Sequence, residues 1–262
     1  MSYKFNSEQI AAFNRDGYVI VRGLFTPEQM ELLLRVTKTD LGLMDGAWEM
    51  ADSKGRKSKL KLWGHAGDDL YGMFSRCESI VSNVETLLGG QVYTFHNKIM
   101  MKEPLVGGAW EWHQDYGYWY NDSVLYPQLV SVMVAIDRAT KENGCLQVLK
   151  GSHLIGRIEH GVAGGQAGAD LIRVEAAQKH CDLVYVELEA GDACFFHCNT
   201  LHASAANESQ NPRWSMICCY NRVDNKPFAE SGGHGDNYHP VSKVPDSKIL
   251  EVGARSDFAA KA

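Results

Sequence analysis

Apolar positions along the chain change period near residue 90. Before it they follow helical spacing. Ser7 to Asp16 puts Ile10 and Phe13 on one face behind Ser7 as the cap, and Asp16-Gly17 ends the helix. Tyr18-Val19-Ile20-Val21 reads as a strand. Thr26-Pro27-Glu28-Gln29 opens a second helix with a capping Thr, Pro at the first helical position and Gln at the third. Met30, Leu33, Leu34 and Leu41 are its predicted buried stripe. Residues 42–67 read as irregular. Cys77 to Leu88 is another predicted helix, with Ile80, Val81, Val84, Leu87 and Leu88 apolar and Gly89-Gly90 as its stop.

From residue 91 onward short β-rich runs recur, at 91–101, 108–112, 129–137, 145–149, 182–188, 193–197 and 213–221. Turn signals separate them, among them Glu142-Asn143-Gly144 and Glu189-Ala190-Gly191-Asp192. Helices followed by many short strands predict a mainly β fold with helical cover, a double-sheet β-sandwich or jelly roll. A single domain is expected over 1–262: a helical part at about 7–90, a β-sandwich core at about 91–223 and a loosely structured C-terminal tail. The Gly-rich stretch 161–168 reads as a loop between strands.

Composition narrows the function classes. The net charge of -6 and pI of about 5.9 give no general attraction to nucleic acid or anionic membrane. No apolar stretch approaches the ~18 residues of a membrane helix. No signal peptide opens the chain, and neither a Ser-Lys-Leu address nor a lipidation motif closes it, so a cytoplasmic setting is expected. The seven cysteines are odd in number and lack C-x-x-C spacing, which predicts reduced thiols. Cys194 and Cys198 read as small buried side chains in an apolar run rather than metal ligands.

The chemistry concentrates in Trp110-Glu111-Trp112-His113-Gln114-Asp115-Tyr116. His-x-Asp at a strand end places an imidazole and a carboxylate on one side. A second His from another strand would complete the two-His-one-carboxylate face that holds iron(II) with open positions. His-x-Asp alone is weak, since His180-Cys181-Asp182 and His234-Gly235-Asp236 repeat it. Only the first follows an apolar strand; the others read as turn or loop residues. His197 and His202 compete as the second His. Arg213, 11 residues beyond His202 and at the start of the next strand, favours His202, because a guanidinium beside the metal suits a bidentate clasp on a carboxylate.

These residues resemble the phytanoyl-CoA dioxygenase family of iron/2-oxoglutarate oxygenases. The likeness rests on His113-Gln114-Asp115, on Asn143 to His153, on Gly191 to His197, and on Leu201-His202-Ala203-Ser204 followed by Arg213, in the family's order. It implies a double-stranded β-helix, cupin-like core, with His113, Asp115 and His202 holding Fe(2+) and Arg213 binding the distal carboxylate of 2-oxoglutarate. It also implies that Ser204, Lys98 and Met133 line the cosubstrate pocket. The implied reaction consumes dioxygen and 2-oxoglutarate, releases succinate and carbon dioxide, and hydroxylates a C–H bond. Asp115 stands where related halogenases carry a small residue, which favours hydroxylation.

A small-molecule substrate is expected, anionic or amine-bearing. Trp112, Tyr116 and Trp119, with Trp63, are the candidate substrate wall, although any one aromatic is more often core. The basic run Lys54 to Lys61 reads as a solvated loop; the sharper reading is a lid steering an anionic substrate. Two other functions compete: a non-catalytic metal- or 2-oxoglutarate-binding jelly roll, and a zinc hydrolase using the same ligands with Glu111 as base.

Overall fold

A computed structural model of the chain describes residues 2–163, 166–229 and 238–258. The N-terminal part runs α1 (Ser7–Asp16), β1 (Tyr18–Val21), α2 (Pro27–Thr39), α3 (Leu41–Asp45), β2 (Trp48–Ala51), β3 (Lys57–Trp63), α4 (Leu70–Arg76) and α5 (Glu78–Leu88). The β-rich part runs β4 (Val92–Lys102), β5 (Trp110–His113), α6 (Asp115–Trp119), β6 (Leu129–Ala135), β7 (Leu146–Leu149), β8 (His160–Ala163) and β9 (Gln166–Ala169). It continues through α7 (Leu171–His180), β10 (Leu183–Val186), β11 (Ala193–His197), β12 (His202–Ser204) and β13 (Arg213–Arg222), and α8 (Lys248–Val252) follows.

Two antiparallel sheets form the jelly roll expected from the sequence. The larger has the order β1-β11-β6-β13-β4-β3-β2 and the smaller β10-β7-β12-β5; β8 and β9 form a separate hairpin. Alternation along the central strands divides their side chains between two cores. On β13, Trp214, Met216, Cys218 and Tyr220 face the helices with Phe74, Ile80 and Val84. Ile217 and Cys219 face the smaller sheet, with Met133 of β6 and Phe196 of β11. Because both faces are covered, every residue of β6 is buried, and its sequence is an apolar run rather than an alternation.

The helix signals hold in detail with one shift. Thr26 and Gln29 form a reciprocal capping box, as predicted. In α1 the cap is Asn6, paired with Gln9, rather than Ser7. Leu41 opens α3 and is exposed, and Leu34 is half-buried, so Leu32 and Val36 complete the α2 stripe instead.

Residues 42–67 carry regular secondary structure, contrary to expectation. They contain α3 and the β2–β3 hairpin, whose second strand pairs Leu60 with Met100 and Leu62 with Lys98 of β4. The alternation Ser58, Leu60, Leu62 was present in the basic run, but the intervening lysines disguised it. The run is therefore mostly strand, and three of its charges meet acids: Arg56 pairs with Asp52 at 3.1 Å, and Lys57 and Lys59 both reach Glu49. α4 and α7 were also unforeseen. So was the packing of the tail: residues 238–258 are not loose. Val244 bridges Cys77, Asp246 accepts from the Ser79 amide and hydroxyl, Ile249 is fully buried, and Phe258 lies against Trp63 and Tyr71.

Candidate metal centre

Strands β5 and β12 bring two histidines together. Their ladder pairs His202 with His113 and Ser204 with Trp110. Two residues apart on β12 thus oppose three apart on β5, so β5 carries a bulge of one extra residue. The bulge resets side-chain parity. Trp110 and His113 both face the larger sheet, while Trp112 packs on the opposite side against the cluster of Leu149 and Leu201. Glu111 is likewise absent from the cavity lining, so the base required by a zinc-hydrolase reading is not at the centre.

Each side chain is fixed by a second contact. His113 Nδ1 lies 2.7 Å from the Glu111 carbonyl, and His202 Nδ1 lies 2.9 Å from the Thr200 carbonyl. A carbonyl oxygen only accepts, so both Nδ1 atoms carry the proton and both Nε2 lone pairs are available. Asp115, the first residue of α6, accepts from Ser131 Oγ of β6 at 2.6 Å through Oδ2. Its Oδ1 lies 3.9 Å from His202 Nε2. Among the described residues this is the one group of three such donors, all within 4.8 Å of one another and all buried.

The electrostatics suit a cation. Burial pushes the His113 pKa well below its usual value, helped by repulsion from His202, and burial lowers that of His202 too. Burial would raise the Asp115 carboxyl, but Lys98, the two imidazoles and the Ser131 hydroxyl together hold it below the usual carboxylate range. Two neutral imidazoles and one carboxylate are the protonation states a metal requires. With three donors on one side and a cavity on the other, the set fits iron(II) with open positions.

That cavity, of about 350 Å³, lies between the sheets. Arg213 and Ser204 line it, and Lys98, Ile217 and Met133 form one cross-strand row of its wall. Arg213 is buried, and its Nε and Nη2 donate to the Gly144 carbonyl at 3.1 and 2.7 Å. Gly144 sits at φ +78°, and a Cβ there would stand 2.2 Å from the Ala205 carbonyl, so glycine is required to present that oxygen. Burial lowers the Arg213 pKa to about 10, which leaves the guanidinium charged at neutral pH.

Of the four candidate wall aromatics, only Trp119 reaches the cavity. Tyr116 is buried with its hydroxyl on the Val124 and Leu125 carbonyls, because residues 115–119 are helical and strand parity does not apply. Trp63 follows Leu62 on β3 and so faces the helices and Phe258. The wall is instead built by Trp48, Trp110 and Tyr118 with Trp119, and by Asp122 and Gln166. Trp48 was hidden in the segment read as irregular.

Lys102 was also missed. It is completely buried, and Nζ donates to Ser204 Oγ at 2.8 Å and to the Ala205 carbonyl. Its signal was its phase: Lys98, Met100 and Lys102 alternate along β4 on the inward side. Of the competing histidines, His197 points away from the centre, packing on Phe13 and His153. His180 ends α7, and His234-Gly235-Asp236 lies outside the described residues.

Comparison with known proteins gives four likenesses. A family model described as phytanoyl-CoA dioxygenase (PhyH) matches residues 13–215. The chain is 29% identical to L-proline trans-4-hydroxylase of Streptomyces griseoviridis over 82% of this chain and 86% of that one. It is 24% identical to ectoine dioxygenase of Sphingopyxis alaskensis, over 85% and 79% respectively. The fold matches the crystal structure of EctD from S. alaskensis with 2-oxoglutarate and 5-hydroxyectoine at a TM-score of 0.76 and 21% identity, covering 92% of this chain and 89% of that one.

Proposed function

The chain belongs to the phytanoyl-CoA dioxygenase family, and we propose that His113, Asp115 and His202 hold the iron(II) of its 2-oxoglutarate-dependent hydroxylation of a small molecule. The convergence of those three donors on the cavity between the sheets is the observation that carries this reading. When bound, iron(II) supplies the redox centre at which dioxygen and 2-oxoglutarate are converted to succinate and carbon dioxide while a C–H bond becomes C–OH.

The chain's own residues do the rest. Arg213 clasps the distal carboxylate of 2-oxoglutarate, and Ser204 adds a hydroxyl beside it. Lys102, behind Ser204, holds that hydroxyl in place by donating to its Oγ. Met133 and Ile217 give the cosubstrate an apolar wall, and Lys98 adds a cation facing the ligand carboxylate. Ser131 and the Glu111 and Thr200 carbonyls keep the donors aimed at one point, so little reorganisation is needed on metal binding.

The substrate lies between the metal and the outer wall. Cosubstrate and substrate share a cavity of about 350 Å³, which suits a metabolite of amino-acid size. Trp48, Trp110, Tyr118 and Trp119 present aromatic faces, and Asp122 a carboxylate, so an amine-bearing substrate suits the wall better than an anionic one. The relatives named for L-proline and ectoine support a small metabolite. No helix among the described residues is long and apolar enough to cross a membrane.

The test is anaerobic loading with iron(II) and 2-oxoglutarate, then exposure to oxygen with a panel of cyclic and linear amino acids. Succinate should form in step with a hydroxylated product for one class of amine. Metal binding without succinate from any member or from the uncoupled reaction would return the chain to a binding protein.

A further inference from the structure

Nothing in the three donor contacts explains what fixes the short turn between His113 and Asp115. There the backbone leaves β5 and enters α6, and Gln114 is the N-cap, with no side-chain cap bond. Its side chain is fully buried and faces away from the cavity: Nε2 donates to the Gly156 and Asn199 carbonyls, and Oε1 accepts from the Ile158 amide. Its own amide N–H belongs to no ladder. It donates to His160 Nε2 at 3.0 Å.

His160 is prepared for that bond. Its Nδ1 lies 2.9 Å from the Ile158 carbonyl, so the proton resides on Nδ1 and the Nε2 lone pair is free to accept. The ring stands edge-on to Tyr118 at 5.2 Å, and Tyr118 in turn lies 5.5 Å from the His113 ring. Gly117 leaves the room: a Cβ there would sit 2.0 Å from the His160 ring.

The same hairpin grips the segment at two further points. Gln166 of β9 accepts from the Glu111 amide at 3.2 Å and donates to the Ala51 and Ala109 carbonyls. The Ala167 carbonyl accepts from the Tyr118 hydroxyl at 2.7 Å. The β8–β9 hairpin thus holds the segment before, between and after the two donors that the chain places only two residues apart.

We propose that His160 is a positioning residue of the metal centre, fixing the His113–Asp115 turn by accepting the Gln114 amide, with the β8–β9 hairpin as the clamp that carries it. The proposal rests on His113 and Asp115 being metal ligands. Without the acceptor, the Gln114 amide is buried and unpaired, and the turn relaxes to satisfy it elsewhere. His113 and Asp115 then lose their common aim. Gln166 and Ala167 of the same hairpin also line the cavity, so the clamp and the cavity wall share residues.

Two substitutions separate the acceptor from the bulk of the ring. His160→Phe keeps the packing on Tyr118 and removes the acceptor; His160→Gln places an oxygen near the Nε2 position. Cobalt(II) or iron(II) affinity, measured anaerobically by titration, should fall about 10- to 100-fold in His160→Phe and return to within a few-fold of the parent in His160→Gln. Amide hydrogen exchange of the metal-free proteins should show the Gln114 amide exposed in the first variant and protected in the second. Parent-like metal affinity in His160→Phe, or equal loss in both variants, would overturn the proposal. An unchanged Gln114 exchange rate would do the same. If the parent protein itself binds no metal, the ligand reading fails, while the exchange experiment still reports on the His160 bond.

Discussion

Lys102 and Arg213 stand directly opposite each other in the β4–β13 ladder, and both are buried. Burial pushes the Lys102 pKa well down, and Arg213 pushes it further. Neither has a carboxylate partner among its hydrogen bonds. Holding a proton on Lys102 beside Arg213 is costly unless an anion joins them. The arrangement makes sense as a receptor for a dianionic cosubstrate.

Replacing Lys102 by Met should weaken 2-oxoglutarate, and should also cost stability because Ser204 and the Ala205 carbonyl lose their donor. The expected change is a rise of about 10-fold or more in the KM for 2-oxoglutarate, corresponding to one charge-assisted interaction. Arg213→Ala should have a larger effect, because the clasp itself is lost. Steady-state kinetics with 2-oxoglutarate as the varied substrate decide it, and an unchanged KM in both variants would remove the receptor reading.

His113→Ala, Asp115→Ala and His202→Ala should each abolish iron-dependent succinate formation. Ser131→Ala should act more mildly, because it frees Asp115 Oδ2 without removing the carboxylate. A loss of about 10- to 100-fold in metal affinity is expected, read by anaerobic titration. Full activity in any of the three ligand variants would place the metal elsewhere.

The aromatic residues should divide by location. Trp119→Ala and Tyr118→Ala, on the cavity wall, should raise the substrate KM. Tyr116→Phe removes a hydroxyl bonded to the 124–125 backbone, so it should cost about 1 kcal/mol of stability and leave KM alone. Parallel denaturation and kinetic measurements would expose the opposite pattern.

Acid should destabilise the protein through His197. Burial holds its pKa at about 4, below the ordinary 6.5, so the unfolded chain binds the proton first as the pH falls. Stability is complete above about 6.5 and declines towards about 4, by on the order of 3 kcal/mol from this group. His197→Asn, which can still accept the Asn199 amide, should flatten that decline. Urea denaturation across this range would test it; identical slopes would clear His197 of the effect.

The tail should be part of the stability of the whole. Ile249 is fully buried against the helices, and Ile249→Ala should cost about 2–5 kcal/mol. A midpoint of denaturation equal to that of the parent would contradict the packing.

Sequence alone determined the elements whose signals are local. Thr26-Pro27-Glu28-Gln29 encodes a helix start by capping chemistry, and the apolar runs at 129–137 and 213–221 encode strands buried on both faces. That His113, Asp115 and His202 meet at one cavity with Arg213 in its wall was legible because these residue types in this order are unusual together. Tertiary structure decided everything that depends on parity and on charge in context. The bulge in β5 turned Trp110 inward and Trp112 outward, against simple alternation. The turn into α6 buried Tyr116 and gave Trp119 and Tyr118 to the cavity. Lysines that look solvated in a linear chain, at 98 and 102, became inward-facing because that face of β4 is turned towards the smaller sheet. Side-chain direction is set by which neighbour a strand finds and by each inserted residue along the way, and neither is written in the local sequence.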